Sequence, residues 1–310
     1  MIKLSDTEIN SAIKQHRTAL MGVAMLMVIV YHSFCWVYNP LGRANIGFAG
    51  VDIFMFLSGL GLCFSFQKNT PSGFYKKRFV RVYPLYIIGV LFVYFAFKSG
   101  WDIKRLISNI TTIGFYLEGG VYRFDWYLMS IIDLYILFPL IYLVSTSSKL
   151  YAFLATLALS TAVLLLFDLP WWYDCLIGRL PIFVYGVVTA LGFSKHKIVG
   201  IIGFLVFPLV YLIVSQFLAT SCLTIAIIAL LICVLPKCPP GLYRIVEFFG
   251  KYSLEIYMAN LMIFWAFETW SFTVVEKSIL FLAIQAFFSF IFIYINKLLG
   301  RLLRNWLNLV

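Results

Sequence analysis

Long apolar runs recur along the chain, beginning near Leu20 and ending near Leu299. Most are about as long as the roughly 20 residues that a helix needs to cross the hydrocarbon core of a bilayer. The runs at 205–214 and 225–235 show no alternation of apolar and polar residues, which argues against a transmembrane barrel. Charged residues make up only 12% of the chain, well below their share in soluble domains. The sequence therefore predicts an all-α polytopic membrane protein.

The apolar runs predict about ten membrane-spanning helices. Their predicted ranges are 19–38, 47–66, 83–98, 125–145, 150–168, 176–194, 198–214, 217–235, 252–271 and 278–296. With the N-terminus in the cytoplasm, 17 of the 24 Lys and Arg residues fall in inner segments and 7 in outer ones. This asymmetry follows the positive-inside rule, so we expect both termini in the cytoplasm and a multi-pass protein of the cell membrane. The same placement explains the net charge of +11 without a nucleic-acid partner.

The segments outside these spans predict little further organisation. We expect one transmembrane domain over residues 1–310, with a short cytoplasmic surface helix within residues 1–17, because Ser5 and Glu8 have the spacing of a capping box. Residues 99–124 include a stretch too polar for a confident span, and we expect an outer loop or a re-entrant segment there. The spacing of the Cys and His residues fits no metal site, so we expect no bound metal.

Within the predicted spans there is a single histidine, His32, about 20 Å along the first helix counted from Ala19. Ionisable residues inside a membrane are costly and usually functional. Asp52 lies about five residues from the outer end of the second span, which places it at a similar depth on the next helix. A carboxylate beside a histidine can fix its tautomer and stabilise its charged form. Asp52 could instead bond the backbone at the start of its own span.

A dense basic cluster occupies the predicted inner loop 67–82 and leads into Tyr83. It contains Lys76, Lys77, Arg78 and Arg81, and the two arginines are three residues apart, on one face if the segment is helical. One interpretation is anchoring to anionic lipids. The other is a clamp for the phosphates of a cofactor that arrives from the cytoplasm.

Several further polar residues interrupt the apolar runs. They are Asp133, Arg179, Glu255 and Asn260. Their number favours a polar cavity among the helices over a purely structural anchor.

Six stretches, taken together and in order, resemble the integral-membrane acyltransferase family 3, whose members O-acylate sugars and glycans. They are GVAMLMVIVYH (22–32), GVDIFMFLSGL (50–60), YKKRFVRVYPLY (75–86), WYLMSIIDLYILFP (126–139), RLPIFVYG (179–186) and FGKYSLEIYMAN (249–260). The resemblance implies ten core helices, acyl-coenzyme A as donor and a hydroxyl acceptor on the far side of the membrane.

The resemblance also assigns roles to individual residues. The histidine that ends the first motif corresponds to His32, and the RxxR pair corresponds to Arg78 and Arg81, which favours the cofactor clamp. The basic residue that usually precedes the first motif is here Met21, and Arg17 lies one turn lower on about the same face. The histidine that often ends the last motif is here Asn260.

These inferences predict a membrane-bound O-acyltransferase that uses acetyl-coenzyme A and acts on a free or lipid-linked sugar or glycan. We expect His32 to act as general base, oriented by Asp52. The expected donor-binding residues are Arg78, Arg81, Arg17 and Lys77, and the expected acceptor-binding residues are Arg179, Asp133, Asn260 and Glu255. Two alternatives stay open: a transporter or flippase of a small polar or lipid-linked substrate, and a sensor or scaffold that keeps the fold without the activity.

Overall fold

The computed structural model describes residues 5–35, 46–97, 103–118, 126–268 and 274–306, and these ranges contain helices and short connections but no strand. The helices are α1 (Asp6–Gln15), α2 (Arg17–Val30) with a π-helical turn (Tyr31–Cys35), α3 (Ile46–Lys68), α4 (Pro71–Phe97), α5 (Ile103–Ile110), α6 (Ile113–Glu118), α7 (Trp126–Ser147), α8 (Lys149–Leu166), α9 (Trp171–Ile177), α10 (Leu180–Ala190), α11 (His196–Ile213), α12 (Gln216–Val234), α13 (Pro240–Lys251), α14 (Ser253–Glu268) and α15 (Val274–Trp306).

Seven stretches of the described chain are helical, long and apolar enough to cross a membrane. They are Gly47–Lys68, Trp126–Ser147, Lys149–Leu166, Trp171–Ala190, His196–Ile213, Gln216–Lys237 and Ile279–Leu303. An eighth is present if α1 and the following helix, which meet at a bend of 70°, count as one span. The prediction of an α-helical multi-pass membrane protein is thus confirmed. The count of ten spans and the cytoplasmic position of both termini stay predictions.

The predicted helix near the N-terminus is present as α1, and its position at the cytoplasmic surface stays a prediction. The hydroxyl of Ser5 accepts a hydrogen bond from the backbone N–H of Glu8 at 3.3 Å, and the N–H of Ser5 donates to the Glu8 carboxylate at 2.6 Å. The Ser5 hydroxyl also donates to the Glu8 carboxylate at 2.7 Å. This hydrogen bond, together with the one from the Ser5 N–H, lowers the pKa of Glu8 below its usual value. One face of the helix is anchored by the buried side chains of Ile9 and Ile13. The capping box predicted from the sequence is therefore confirmed, while residues 1–4 lie outside the described residues.

The basic cluster is part of a helix, so the predicted inner loop 67–82 is wrong over most of its length. Asn69 and Thr70 form the only break, and α4 begins at Pro71 and continues through Pro84. Proline suits the first helical position because the first N–H groups of a helix have no partner within it. The cationic side chains consequently lie on the first turns of a long helix.

The described part of the predicted outer segment 99–124 consists of α5 and α6, each far shorter than a membrane span. Two tyrosines of α4 bind the end of α5: Tyr83 donates to the carbonyl of Ile110 and Tyr86 to the carbonyl of Asn109, both at 2.7 Å. The described part of the segment is thus a pair of short helices held against α4, and its assignment as an outer loop or a re-entrant segment stays a prediction. Residues 99–102 and 119–124 lie outside the described residues.

The chain divides into two compact units that interleave in sequence. Unit 1 comprises Met1–Val28, Asn45–Lys68 and Ile136–Lys251, and unit 2 comprises Ile29–Ala44, Asn69–Tyr135 and Tyr252–Val310. This division does not test the expectation of one transmembrane domain over residues 1–310. The two units are described separately below.

Unit 1 contains a very close helix crossing between α3 and α10. A Cβ added at Gly59 would lie 2.2 Å from the carbonyl oxygen of Phe183, and one added at Gly186 would lie 2.0 Å from that of Phe56. Only glycine allows the two backbones to approach this closely. The crossing holds the buried face of α3 against the first turns of α10.

Unit 2 is built around three long helices. α4 packs against both α14 and α15, α14 and α15 pack against each other, and α15 also contacts the π-helical turn. An edge-to-face contact between Phe92 and Phe288, with ring centroids 5.7 Å apart, joins α4 to α15. These helices bring His32, Asn260 and the basic cluster into the same unit.

Candidate active site

His32 lies in the π-helical turn that ends the first long helix. Such turns are rare and occur frequently at functional sites, because the extra residue redirects side chains and frees backbone carbonyls. In this turn the buried hydroxyl of Ser33 donates to the carbonyl of Ile29 at 2.7 Å. The His32 ring is half-buried. The turn therefore presents an imidazole, partly shielded from solvent, on an irregular backbone.

The nearest described polar partner of His32 is Asn260 of α14. The side-chain oxygen of Asn260 forms a short hydrogen bond with Nδ1 of His32. Asn260 is completely buried, and its amide nitrogen donates to Oε1 of Gln285 on α15 at 3.2 Å. Asn260 was predicted from the sequence to bind the acceptor, whereas no role was predicted for Gln285. A glutamine that interrupts the apolar run 279–295 was the available signal.

Asp52 is the partner of Arg179. Nε of Arg179 lies 2.8 Å from Oδ1 of Asp52, and both side chains have no exposed surface. Ser221 of α12 donates to the same carboxylate at 3.2 Å, and the hydroxyl oxygen of Thr224, which donates to the carbonyl of Thr220 at 2.8 Å, lies 3.4 Å from it. All of these residues belong to unit 1, whereas His32 belongs to unit 2. The predicted pairing of Asp52 with His32 is not confirmed, since each has a different partner within its own unit.

Arg179 precedes α10 at a break in the Trp171–Ala190 span. Its guanidinium carbon lies 5.4 Å from the ring centre of Phe48 and 4.6 Å from that of Phe217. Its Nη1 donates to the carbonyl of Cys175 at 3.2 Å. The cation is thus enclosed by two aromatic faces, a carbonyl and a carboxylate, which compensates for its removal from water. This environment is that of a structural ion pair in the interior of unit 1.

The proposed cofactor clamp lies on the N-terminal part of α4. Arg78 and Arg81 are one turn apart on this helix, as the sequence predicts; Arg78 is half-buried beside Tyr135 of α7, and Arg81 is exposed. Lys77 is exposed and donates to the side-chain oxygen of Asn69 at 2.8 Å. The two guanidinium groups therefore stand together at a surface that a phosphate could reach.

The remaining predicted site residues have partners of their own. Tyr116 donates a short hydrogen bond to Asp133. Asn296 of α15 donates to Glu255 of α14 at 2.6 Å. In unit 1, a guanidinium nitrogen of Arg17 lies 3.4 Å from the carbonyl oxygen of Leu57. These contacts neither confirm nor exclude a role in substrate binding.

Comparison with known proteins decides the family. A family model described as an acyltransferase domain matches residues 19–296. The chain belongs to the acyltransferase 3 family. The searches of curated proteins and of solved structures found no match. The resemblance seen in the sequence is confirmed, and the matched residues include every predicted site residue except Arg17.

Acyl transfer is the class of reaction that this family membership supports. An acyltransferase binds an acyl donor and transfers its acyl group to an acceptor. An imidazole with one nitrogen engaged in a hydrogen bond can accept a proton on the other nitrogen. Unit 2 contains an imidazole at His32 and, on α4, the half-buried Arg78 and the exposed Arg81. Among the described residues, no three Cys, His, Asp or Glu side chains are grouped as metal ligands.

Proposed function

We propose that this acyltransferase transfers an acetyl group from acetyl-coenzyme A, bound from the cytoplasm, to a hydroxyl of a free or lipid-linked sugar or glycan on the outer side of the cell membrane. The observation that carries the proposal is the environment of His32. It lies in a π-helical turn, and its Nδ1 is bonded to the buried Asn260. The helix that bears Asn260 packs against α4, which carries Arg78 and Arg81.

The donor would bind through its phosphates at the start of α4. Guanidinium groups form paired hydrogen bonds with phosphate oxygens, and Arg78 and Arg81 offer two of them on one face. Lys77 adds a third cation on the same turn of the helix. Arg17 is a further candidate for donor binding because it lies one turn below Met21, the position at which the family usually has a basic residue. Membrane lipids would surround the apolar helix faces.

In the chemical step, His32 removes the proton from the acceptor hydroxyl as the oxygen attacks the carbonyl carbon of the thioester. The new C–O ester bond forms, the C–S bond breaks, and the thiolate of coenzyme A leaves. The imidazolium of His32 then returns its proton to this thiolate, so the enzyme ends in its starting state. Half-burial of His32 limits the access of water, which would otherwise compete as acceptor. Asp133 and Glu255 are candidates for contacts with the acceptor.

The proposal is tested with purified protein in liposomes, acetyl-coenzyme A labelled in the acetyl group, and a panel of sugars and glycans. We expect thioester cleavage that depends on the acceptor, with the label recovered as an acetyl ester. Label on the protein itself would replace direct transfer by an acyl-enzyme route. Movement of a sugar across the bilayer without thioester cleavage would favour the transporter or flippase. Absence of cleavage with every acceptor would contradict the proposal.

A further inference from the structure

A chain of hydrogen bonds leads from a backbone carbonyl to His32. It begins at the carbonyl oxygen of Ile256 in α14, which lies 2.8 Å from the amide nitrogen of Gln285. A carbonyl oxygen only accepts hydrogen bonds, so the NH₂ group of Gln285 must face it. The second hydrogen of this NH₂ group points to the hydroxyl oxygen of Ser289 at 3.2 Å. The Ser289 hydroxyl donates its own hydrogen to the backbone carbonyl of Gln285 at 2.6 Å. Its oxygen therefore acts as the acceptor toward the Gln285 side-chain amide.

The orientation of Gln285 determines the orientation of Asn260. Because both hydrogens of the Gln285 NH₂ group are already donated, the side-chain oxygen Oε1 of Gln285 faces Asn260. This oxygen accepts a hydrogen bond from the Asn260 amide nitrogen at 3.2 Å. The other end of the Asn260 amide is its oxygen, which faces Nδ1 of His32. An amide oxygen cannot donate, so Nδ1 must carry the hydrogen.

Burial makes this arrangement hard to reverse. Asn260, Gln285 and Ser289 are 0%, 4% and 8% exposed. Turning the Gln285 amide around would place its oxygen against the carbonyl oxygen of Ile256 and its NH₂ group against that of Asn260. Buried polar groups left without a suitable partner lose their hydration with nothing in return, so the reversed arrangement is strongly disfavoured. The backbone carbonyl of Ile256 therefore determines which group is the donor in each hydrogen bond of the series.

We propose that Asn260 and Gln285 are positioning residues that hold neutral His32 in the tautomer with its proton on Nδ1. Nε2 is then the unprotonated nitrogen and the one that accepts the proton of the acceptor hydroxyl. The catalytic consequence rests on the proposed function, whereas the tautomer itself is a property of the protein alone. The relay, defined as Ile256, Gln285, Asn260 and His32, lies entirely within unit 2.

Nitrogen NMR of the full chain in detergent, labelled with ¹⁵N-histidine, measures the tautomer without any substrate. The chain has three histidines, and the His32 signals are those lost in His32→Gln. Above the pH at which His32 loses its charge, we expect a protonated Nδ1 and an unprotonated Nε2. The opposite pattern, or an equal mixture, would overturn the proposal.

Two substitutions test the relay against a merely structural role. Gln285→Met keeps the length of the side chain but removes both amide groups, so Asn260 is no longer oriented. We expect a lower Nδ1-protonated fraction and a kcat reduced roughly 2- to 10-fold, the effect of one net hydrogen bond, with KM for acetyl-coenzyme A unchanged. Asn260→His should keep Nδ1 of His32 as the protonated nitrogen, because an imidazole can accept on one side and donate on the other. The matched control for Gln285→Met is Leu282→Met, on the exposed face of α15, which also bears Gln285. It should change neither the Nδ1-protonated fraction nor kcat.

The outcomes separate the two proposals. An unchanged tautomer in Gln285→Met would overturn the relay, whatever the activity. A wild-type protein with the expected tautomer but no acyl transfer to any acceptor would contradict the proposed function and leave the relay intact.

Discussion

Removing Arg179 alone should destabilise unit 1 strongly. In Arg179→Met the side chain keeps most of its volume and its contact with the rings of Phe48 and Phe217, but the charge is lost. The Asp52 carboxylate then remains buried with the Ser221 hydroxyl as a donor at 3.2 Å and the Thr224 hydroxyl at 3.4 Å, which donates to the carbonyl of Thr220. Both members of the ion pair are fully buried, so water cannot replace the guanidinium without opening the helices.

The expected loss follows from this geometry. Removal of one partner of a buried ion pair costs about 3–5 kcal/mol, because the other charge is left uncompensated. The hydroxyl contacts at 3.2 and 3.4 Å are at or beyond the long end of the usual hydrogen-bond range, so they compensate little. The lost attraction between the cation and the two aromatic faces adds about 1 kcal/mol. We therefore expect Arg179→Met to lower the free energy of unfolding by at least about 3 kcal/mol.

The assay is unfolding in mixed micelles as the fraction of denaturing detergent is raised, followed by the helical circular dichroism signal. The matched control is the double variant Asp52→Leu/Arg179→Met, which removes both charges. It should be more stable than Arg179→Met by about 2 kcal/mol or more, because replacing a buried ion pair by apolar residues is often neutral. Equal stability of the single and double variants, or a single variant as stable as wild type, would refute this reasoning.

Three other predictions concern packing and donor binding. Gly22→Ala should lower the free energy of unfolding by about 1–3 kcal/mol, because its Cβ would lie 1.8 Å from a backbone carbonyl oxygen of α13. Gly241→Ala is the control and should be neutral, because a Cβ there would have nothing within 4 Å. Equal effects of the two substitutions would contradict the close crossing. Arg78→Ala should weaken coenzyme A binding in calorimetry more than Lys76→Ala, which removes the same charge from another face of α4; equal losses would indicate simple attraction of anions. Arg17→Ala should lower transfer activity and Arg17→Lys should restore it in part, and wild-type activity in Arg17→Ala would show that the charge has no role.

Features of the fold that depend only on residues close together in the sequence were predictable from it. Apolar runs fix the helical membrane class, and the capping box is local because Ser5 and Glu8 are one turn apart. The boundary at Pro71 was missed because a dense group of cations was interpreted as a loop, although lysine and arginine are good helix formers. The amphipathic helix Pro240–Lys251 was missed for a similar reason, since its mixture of polar and apolar residues is not a membrane span.

The partners of the buried polar residues were not predictable in the same way. Counting residues along a helix gives the depth of His32 and Asp52 but not the direction in which each side chain points. The partner of Asp52 is set by the glycine-lined crossing of α3 and α10, which brings Arg179 alongside. One rule would have helped: two opposite charges in apolar runs are expected to pair, and Arg179 is a stronger partner for a carboxylate than a neutral histidine.

The most direct test of the central claim is acyl transfer by His32→Ala. If His32 is the general base, the variant should lose about 10²-fold or more of the transfer of labelled acetyl groups to the acceptor. It should still bind coenzyme A with wild-type affinity, since the proposed site for the donor phosphates is on α4. Asp52→Asn should lose less than His32→Ala, because it acts on the stability of unit 1. Wild-type transfer by a folded His32→Ala protein would show that the residue is a packing histidine and that the proposed mechanism is wrong.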